Sequence, residues 1–134
     1  MSRVTPVVTM RVYPTPASTL YARVLIFGTK RAMVRYGKRH GHTGKYRAAC
    51  DTQVKPRAAF AELLFHEGDI TIELLTHECL HAVLGYARRL RFDLSALACP
   101  WRLTRHDTEE RLVEVHSMLT HELVVALRKR GWVL

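Results

Sequence analysis

Residues 69–91 read DITIELLTHECLHAVLGYARRLR, and this segment predicts a long α-helix around which the rest of the fold is arranged. Asp69 is the expected N-cap, and most residues after it are good helix formers. Arg88, Arg89 and Arg91 lie where positive charge stabilises a helix C-terminus. Because apolar residues fall on most sides of the helix, we expect several elements to pack against it.

Three segments before this helix have the composition of β-strands. Residues 7–13 and 21–27 are rich in β-branched and aromatic residues, and residues 58–66 form a short apolar run that ends at a Glu-Gly turn. Residues 32–36 suit a strand or a short helix and precede a Gly- and Lys-rich loop at 37–45. We expect a small antiparallel sheet, in which the 58–66 strand presents an exposed edge.

After the helix, Cys99-Pro100-Trp101 breaks the chain, and a second helix is predicted from Asp107 or Thr108 to about Lys129. Its apolar stripe contains Leu112, His116, Leu119, Leu123 and Ala126, and Gly131 ends it. The predicted fold class is α+β, a single domain over 1–134 with strands and a basic loop in 1–68 and mostly helix in 69–134.

Composition limits the classes of protein to which the chain can belong. Its 134 residues suffice for one domain, and 48% apolar with 25% charged residues is typical of a globular protein. No apolar run approaches the roughly 20 residues of a membrane span, and prolines interrupt the N-terminus where a secretory signal is continuous. Three cysteines without CxxC spacing favour reduced thiols. We expect a cytoplasmic protein that is not secreted and has no membrane partner.

Positive charge is concentrated in the first half of the chain. Residues 1–60 carry a formal charge of +11, whereas residues 61–134 carry −2. Clustered cations gain free energy from counterion release on a phosphate backbone, so nucleic acid is a possible partner. The candidate binding residues, which lie beside Tyr36 and Tyr46, are Arg35, Lys38, Arg39, Lys45 and Arg47.

The predicted helix contains the string His77-Glu78-Cys79-Leu80-His81, an HExxH motif. Residues four apart face the same side of a helix, so both imidazoles can bind one metal ion. Zinc in catalytic sites takes three protein ligands and a water, and Glu78 is placed to remove a proton from that water. The motif predicts a Zn²⁺ site with His77 and His81 as ligands and Glu78 as general base.

The third ligand must come from elsewhere in the chain. The metzincin continuation needs Gly and His where Leu84 and Ala87 stand, and no His occurs from residue 82 to residue 105, which excludes a SprT-like arrangement. His106 and Asp107 remain formal candidates, and the stronger option is the pair Glu109-Glu110. If Asp107 is the N-cap, Glu110 serves a capping box and Glu109 lies on the inward stripe. We therefore expect Glu109 as third ligand, with Glu110 as substitute.

Residues 71–84, TIELLTHECLHAVL, together with EERLVEV at 109–115, resemble the compact zinc metallopeptidases of phages and prophages, related in pattern to ImmA/IrrE gluzincins. The resemblance covers residues 60–127, and Arg111-Leu112 stand where that family usually has a small residue and Asn. It implies a minimal zincin-like fold, a metallopeptidase activity on a protein or peptide substrate, and a cytoplasmic location in a bacterial host or a phage-encoded origin.

Several further residues have candidate roles or simpler structural explanations. Glu73 is a possible hydrogen-bond acceptor for a ligand imidazole, and an oxyanion donor could be Tyr86, His106 or His116. His116 is more simply a core residue, and Cys79 a small buried hydrophobe. The alternative functions are a basic nucleic-acid-associated module and a virion or structural component that keeps the zincin fold without turnover.

Overall fold

The structure, a computed structural model, describes residues 4–91 and 104–134, with only the backbone for residues 104–107. It contains four strands and three helices, consistent with the expected α+β class. In chain order they are β1 (Val8–Val12), β2 (Tyr21–Phe27), α1 (Lys30–Arg39), β3 (Ala49–Asp51), β4 (Ala59–His66), α2 (Ile72–Arg89) and α3 (Thr104–Lys129). Within these described ranges, no helix has the length and apolar character needed to cross a membrane.

The four strands form one mixed sheet in the order β1-β2-β4-β3. β1 pairs with β2 and β3 pairs with β4 in antiparallel fashion, but β2 and β4 are parallel. The expectation of an antiparallel sheet was therefore wrong for its central pair. The reason is that α1 lies between β2 and β4 in the chain. The connection through α1 carries the chain back to the end of the sheet at which β2 began, so β4 runs in the same direction as β2. β4 is also a central strand, so the edges of the sheet belong to β1 and β3 and not to residues 58–66.

Helices cover both faces of this sheet. On one face, Val24, Ile26, Leu63 and Phe65 pack in a core shared with α2 and α3. On the other face, a smaller cluster formed by Leu25, Phe27, Met33, Ala49 and Leu64 seats α1. Strands buried on both faces read as continuous apolar runs, which explains the lack of alternation in β2 and β4.

The helix termini differ from the predicted ones. α1 shows that residues 32–36 are helical, with Thr29 as its N-cap. The N-cap of α2 is Thr71, whose Oγ1 accepts a hydrogen bond of 3.1 Å from the amide of Leu74. The prediction that Asp69 is the N-cap was wrong. Its carboxylate instead accepts two hydrogen bonds of 2.8 Å from Arg47.

α3 begins at Thr104, three residues before the predicted cap at Asp107. An acidic residue is favourable within the first turn of a helix as well as at the cap, because both positions lie near the positive end of the helix dipole. Asp107 is therefore helical, and Glu110 is too far along the helix to complete the predicted capping box. The buried face of α3 consists of Val115, Leu119, Leu123 and Leu127.

Candidate metal centre

The two histidines of the HExxH motif lie side by side on the exposed surface of α2. Their Nε2 atoms are 3.2 Å apart, and the rings meet edge to face with centroids 4.9 Å apart. The helix produces this arrangement, because His77 and His81 are four residues apart and leave the same side of α2.

The distance between the two nitrogens matches what one zinc ion requires. Zinc binds imidazole nitrogen at about 2.0–2.1 Å, and two such bonds at a tetrahedral angle place the nitrogens about 3.3 Å apart. The observed 3.2 Å between Nε2 of His77 and Nε2 of His81 is close to this value. The separation is therefore compatible with two corners of a tetrahedral zinc site.

Glu78 lies beside this pair, yet its side chain points into the protein. The residue is 5% exposed, and its Oε1 is 4.0 Å from Nε2 of His77. Burial raises the pKa of Glu78, while the imidazoles of His81, His77 and His42 act in the opposite direction. A carboxylate with a raised pKa is a stronger base than an exposed one, which suits proton transfer near neutral pH.

A groove of about 350 Å³ runs past Glu78 and His77. One wall is α2, through Glu73 and Leu74, and the other is the segment Tyr46-Arg47-Ala48, which leads directly into β3. Because β3 is the last strand of the sheet, its outer backbone edge has no strand partner among the described residues. His77 and Glu78 thus line a groove whose opposite wall leads into an edge strand.

The expected third ligand is not next to the pair. Both Glu109 and Glu110 are exposed, so Glu109 does not lie on the buried stripe of α3 as expected. Among the described side chains, no group of three His, Cys, Asp or Glu residues is close enough to hold a metal ion. The side chains of His106 and Asp107 lie outside the described residues, and the assignment of the third ligand stays a prediction.

The other candidate residues have structural partners or lie elsewhere. Nε2 of His116 donates to the carbonyl of Thr76 at 3.1 Å, so this ring joins α3 to α2. This contact agrees with the simpler interpretation of His116 as a structural residue. Tyr86 packs on Phe60 and is nine residues from His77, about 13 Å along the helix. Glu73 lies in the groove wall, and within the described chain it makes no hydrogen bond to His77.

The two described cysteines are free thiols, of which Cys79 is buried and Cys50 is half-buried. Burial raises the pKa of Cys50 to about 12 and that of Cys79 to about 11, so both are protonated at neutral pH. Cys79 is 1% exposed, which confirms its prediction as a small buried hydrophobe. Cys99 lies outside the described residues. Neither described thiol presents the exposed thiolate that a nucleophile needs.

The candidate nucleic-acid residues divide into two groups. Four of them are exposed and form no ion pair with another described residue: Arg35, Lys38, Arg39 and Lys45. Arg47 is exposed too, but it forms an ion pair with Asp69. The tyrosines expected among them turn inward. Tyr36 Oη donates to Oε1 of the buried Glu62 at 2.8 Å, and Tyr46 packs against Gly37 of α1.

Sequence reasoning missed two groups close to Glu78. His42 contributes a third imidazole to its surroundings, and Cys50 faces it from β3. These residues precede Glu78 by 36 and 28 positions, and no spacing rule connects them to the motif. The pairing of β3 with β4 places Cys50 opposite Leu63, on the face of the sheet that α2 covers.

Comparisons with family models, with curated proteins and with solved structures found no match for this chain.

Proposed function

We propose that this chain is a zinc-dependent metallopeptidase that hydrolyses peptide bonds in a protein or peptide substrate. The observation that carries the proposal is the 3.2 Å separation of the Nε2 atoms of His77 and His81, with the buried carboxylate of Glu78 beside them. A histidine pair that served only the core would not leave both rings exposed on the helix surface.

Zinc held by this pair would polarise the substrate carbonyl and lower the pKa of water at the site. Glu78 takes the proton of the attacking water on its carboxylate and returns it to the departing amine. Its burial next to His77 keeps the carboxylate basic and holds it near the reacting atoms. Each of these roles requires a free carboxylate, and Glu78 has no hydrogen bond to another described residue.

The substrate is proposed to bind in the groove between α2 and the Tyr46-Arg47-Ala48 segment. An extended peptide can pair its backbone with an open strand edge, and β3 supplies that edge next to Glu78. This arrangement favours an unfolded or loop segment over a rigid helical one, because only an extended backbone matches the hydrogen-bonding spacing of a strand.

The third protein ligand is proposed to come from the first turns of α3, with Glu109 favoured and Glu110 as substitute. A carboxylate is a suitable oxygen ligand for zinc and would balance part of its charge. Because both side chains are exposed, each can change rotamer without disturbing the apolar core.

Metal analysis combined with one isosteric substitution tests this proposal. We expect about one zinc per chain, and we expect Glu78→Gln to keep the zinc while its cleavage of an unstructured protein such as casein falls by about 10²–10⁴-fold. Products are followed by mass spectrometry, with a chelator-treated sample for comparison.

Glu122→Gln is the matched control, because Glu122 is an exposed glutamate on α3 outside the groove. It should cleave as wild type does. Cleavage by Glu78→Gln at the wild-type rate would exclude Glu78 as the base. A wild-type protein that holds zinc and cleaves nothing in a broad peptide library would instead support a structural zincin-like component.

A further inference from the structure

The outer surface of α1 carries an unusual density of positive charge. Arg31, Arg35 and Lys38 follow one another at helical spacing, and Arg39 completes the last turn. Lys45 follows on the loop toward β3. All five residues are exposed, and we call this set the basic face.

Among the residues that the structure describes, no acidic side chain pairs with the basic face. The first acidic residue of the chain is Asp51, and none of the five cations forms an ion pair with another described residue. Their neighbours Arg47 and Lys30 differ, since Arg47 is bonded to Asp69 and the charge of Lys30 also acts on that carboxylate. The basic face therefore holds a local excess of unneutralised charge, which favours a polyanionic partner.

We propose that the basic face binds the phosphate backbone of double-stranded nucleic acid. From Arg31 to Arg39 the helix rises about 12 Å, a length over which duplex DNA presents about seven phosphate charges at one per 1.7 Å. The inference does not rest on the proposed peptidase activity, because none of the five cations lines the groove beside Glu78.

The same helix is poorly suited to an anionic membrane surface. Interfacial helices insert an apolar face into the lipid headgroups, whereas the apolar side of α1 is already packed on the sheet through Met33, which is 0% exposed. None of the exposed large apolar residues in the described chain lies on α1.

The inward orientation of the tyrosines defines the mode of binding. Base stacking needs an aromatic ring at the surface, but Tyr36 is bonded to Glu62 and Tyr46 is packed under α1. Neither tyrosine ring is thus free to act as a stacking platform, and the exposed ring of His40 is stacked on Tyr36. Contacts with phosphates alone carry no sequence information, so binding is expected to be nonspecific and strongly salt-dependent.

Fluorescence anisotropy with a labelled duplex DNA of about 20 base pairs tests the proposal. With five phosphate contacts, log K should fall with log salt at a slope of about −4.5, a loss of roughly 500-fold between 50 and 200 mM salt. The triple variant Arg31→Gln/Arg35→Gln/Lys38→Gln should reduce the slope to about −1.8. The double variant Arg31→Lys/Arg35→Lys should keep the wild-type slope, since it keeps the charge.

The triple variant Lys55→Gln/Lys129→Gln/Arg130→Gln is the matched control, because it removes three exposed cations elsewhere and gives the same net charge. Its slope should stay near −4.5. An equal reduction of the slope in this control, or no duplex binding at 50 mM salt, overturns the proposal. So does binding to vesicles of phosphatidylserine without binding to the duplex. If the basic-face triple variant does not fold, Arg35→Gln alone must reduce the slope by about 0.9.

Discussion

Two glutamates are buried among the described residues, and their surroundings differ in one decisive respect. Glu62, 2% exposed, lies on the α1 side of the sheet and is bonded to Arg23 and to the hydroxyl of Tyr36. Glu78, 5% exposed, lies on the α2 side and faces His77 at 4.0 Å without a protein hydrogen bond among the described residues.

This difference distinguishes a carboxylate that stabilises the fold from one that is available for catalysis. A buried charge with a complete set of partners contributes to the fold, and both oxygens of Glu62 have partners. A buried charge without them costs folding free energy, and such costs persist where the group has another use. The comparison therefore predicts opposite consequences when each carboxylate is neutralised.

Glu62→Gln should show the largest effect on stability. Breaking a buried ion pair costs about 3–5 kcal/mol, and we expect about 3 kcal/mol because the side chain of Arg23 keeps 24% exposure and can regain water. Urea unfolding, followed by circular dichroism, measures this change in the free energy of unfolding.

Glu78→Gln is the matched partner in that experiment. It should lower the free energy of unfolding of the metal-free protein by less than about 1 kcal/mol, or raise it, because it removes a buried charge that accepts no hydrogen bond from another described residue. Equal destabilisation by the two substitutions would show that Glu78 also has a structural role.

Tyr36→Phe removes the second hydrogen-bond partner of Glu62 and should have a smaller effect on the free energy of unfolding than Glu62→Gln. It removes the 2.8 Å hydrogen bond to Oε1 of Glu62 but leaves the ion pair with Arg23, so a loss of about 1–2 kcal/mol is expected. If Glu62→Gln is already present, the further loss should shrink, because the two residues share one network. Additive losses in the double variant would mean that the hydroxyl of Tyr36 acts independently of Glu62.

The local parts of this arrangement were predictable from the sequence. The limits of β2 and the position of α2 within two residues follow from composition and periodicity, and the approach of His77 to His81 follows from their spacing on one helix. Each of these features depends on residues that are neighbours in the chain. For the same reason, Cys79 could be placed in the core from the helical pattern.

The features that could not be predicted depend on contacts between distant segments. The parallel pairing of β2 with β4 follows from the return of the chain through α1, and the composition of these two strands does not distinguish parallel from antiparallel partners. The position of Glu109 relative to His77 depends on where α3 begins and how it packs on α2. The buried residues of α3 recur every four positions, at Val115, Leu119, Leu123 and Leu127, and this spacing does not include Glu109, which is exposed.

A third carboxylate extends the comparison to the surface and should give the smallest effect. Asp69 is held by Arg47 at 2.8 Å, and this hydrogen bond lowers the pKa of Asp69. Because the folded pKa is lower than the unfolded one, the pair stabilises the protein above about pH 4 and loses that effect as pH falls through the folded value. Asp69→Asn should therefore be slightly less stable than wild type at neutral pH and equal to it in strong acid. Thermal unfolding across this pH range measures the difference, with Glu67→Gln on the same exposed turn as control. A difference in stability between Asp69→Asn and wild type that persists in strong acid would show that Asp69 acts through something other than its charge.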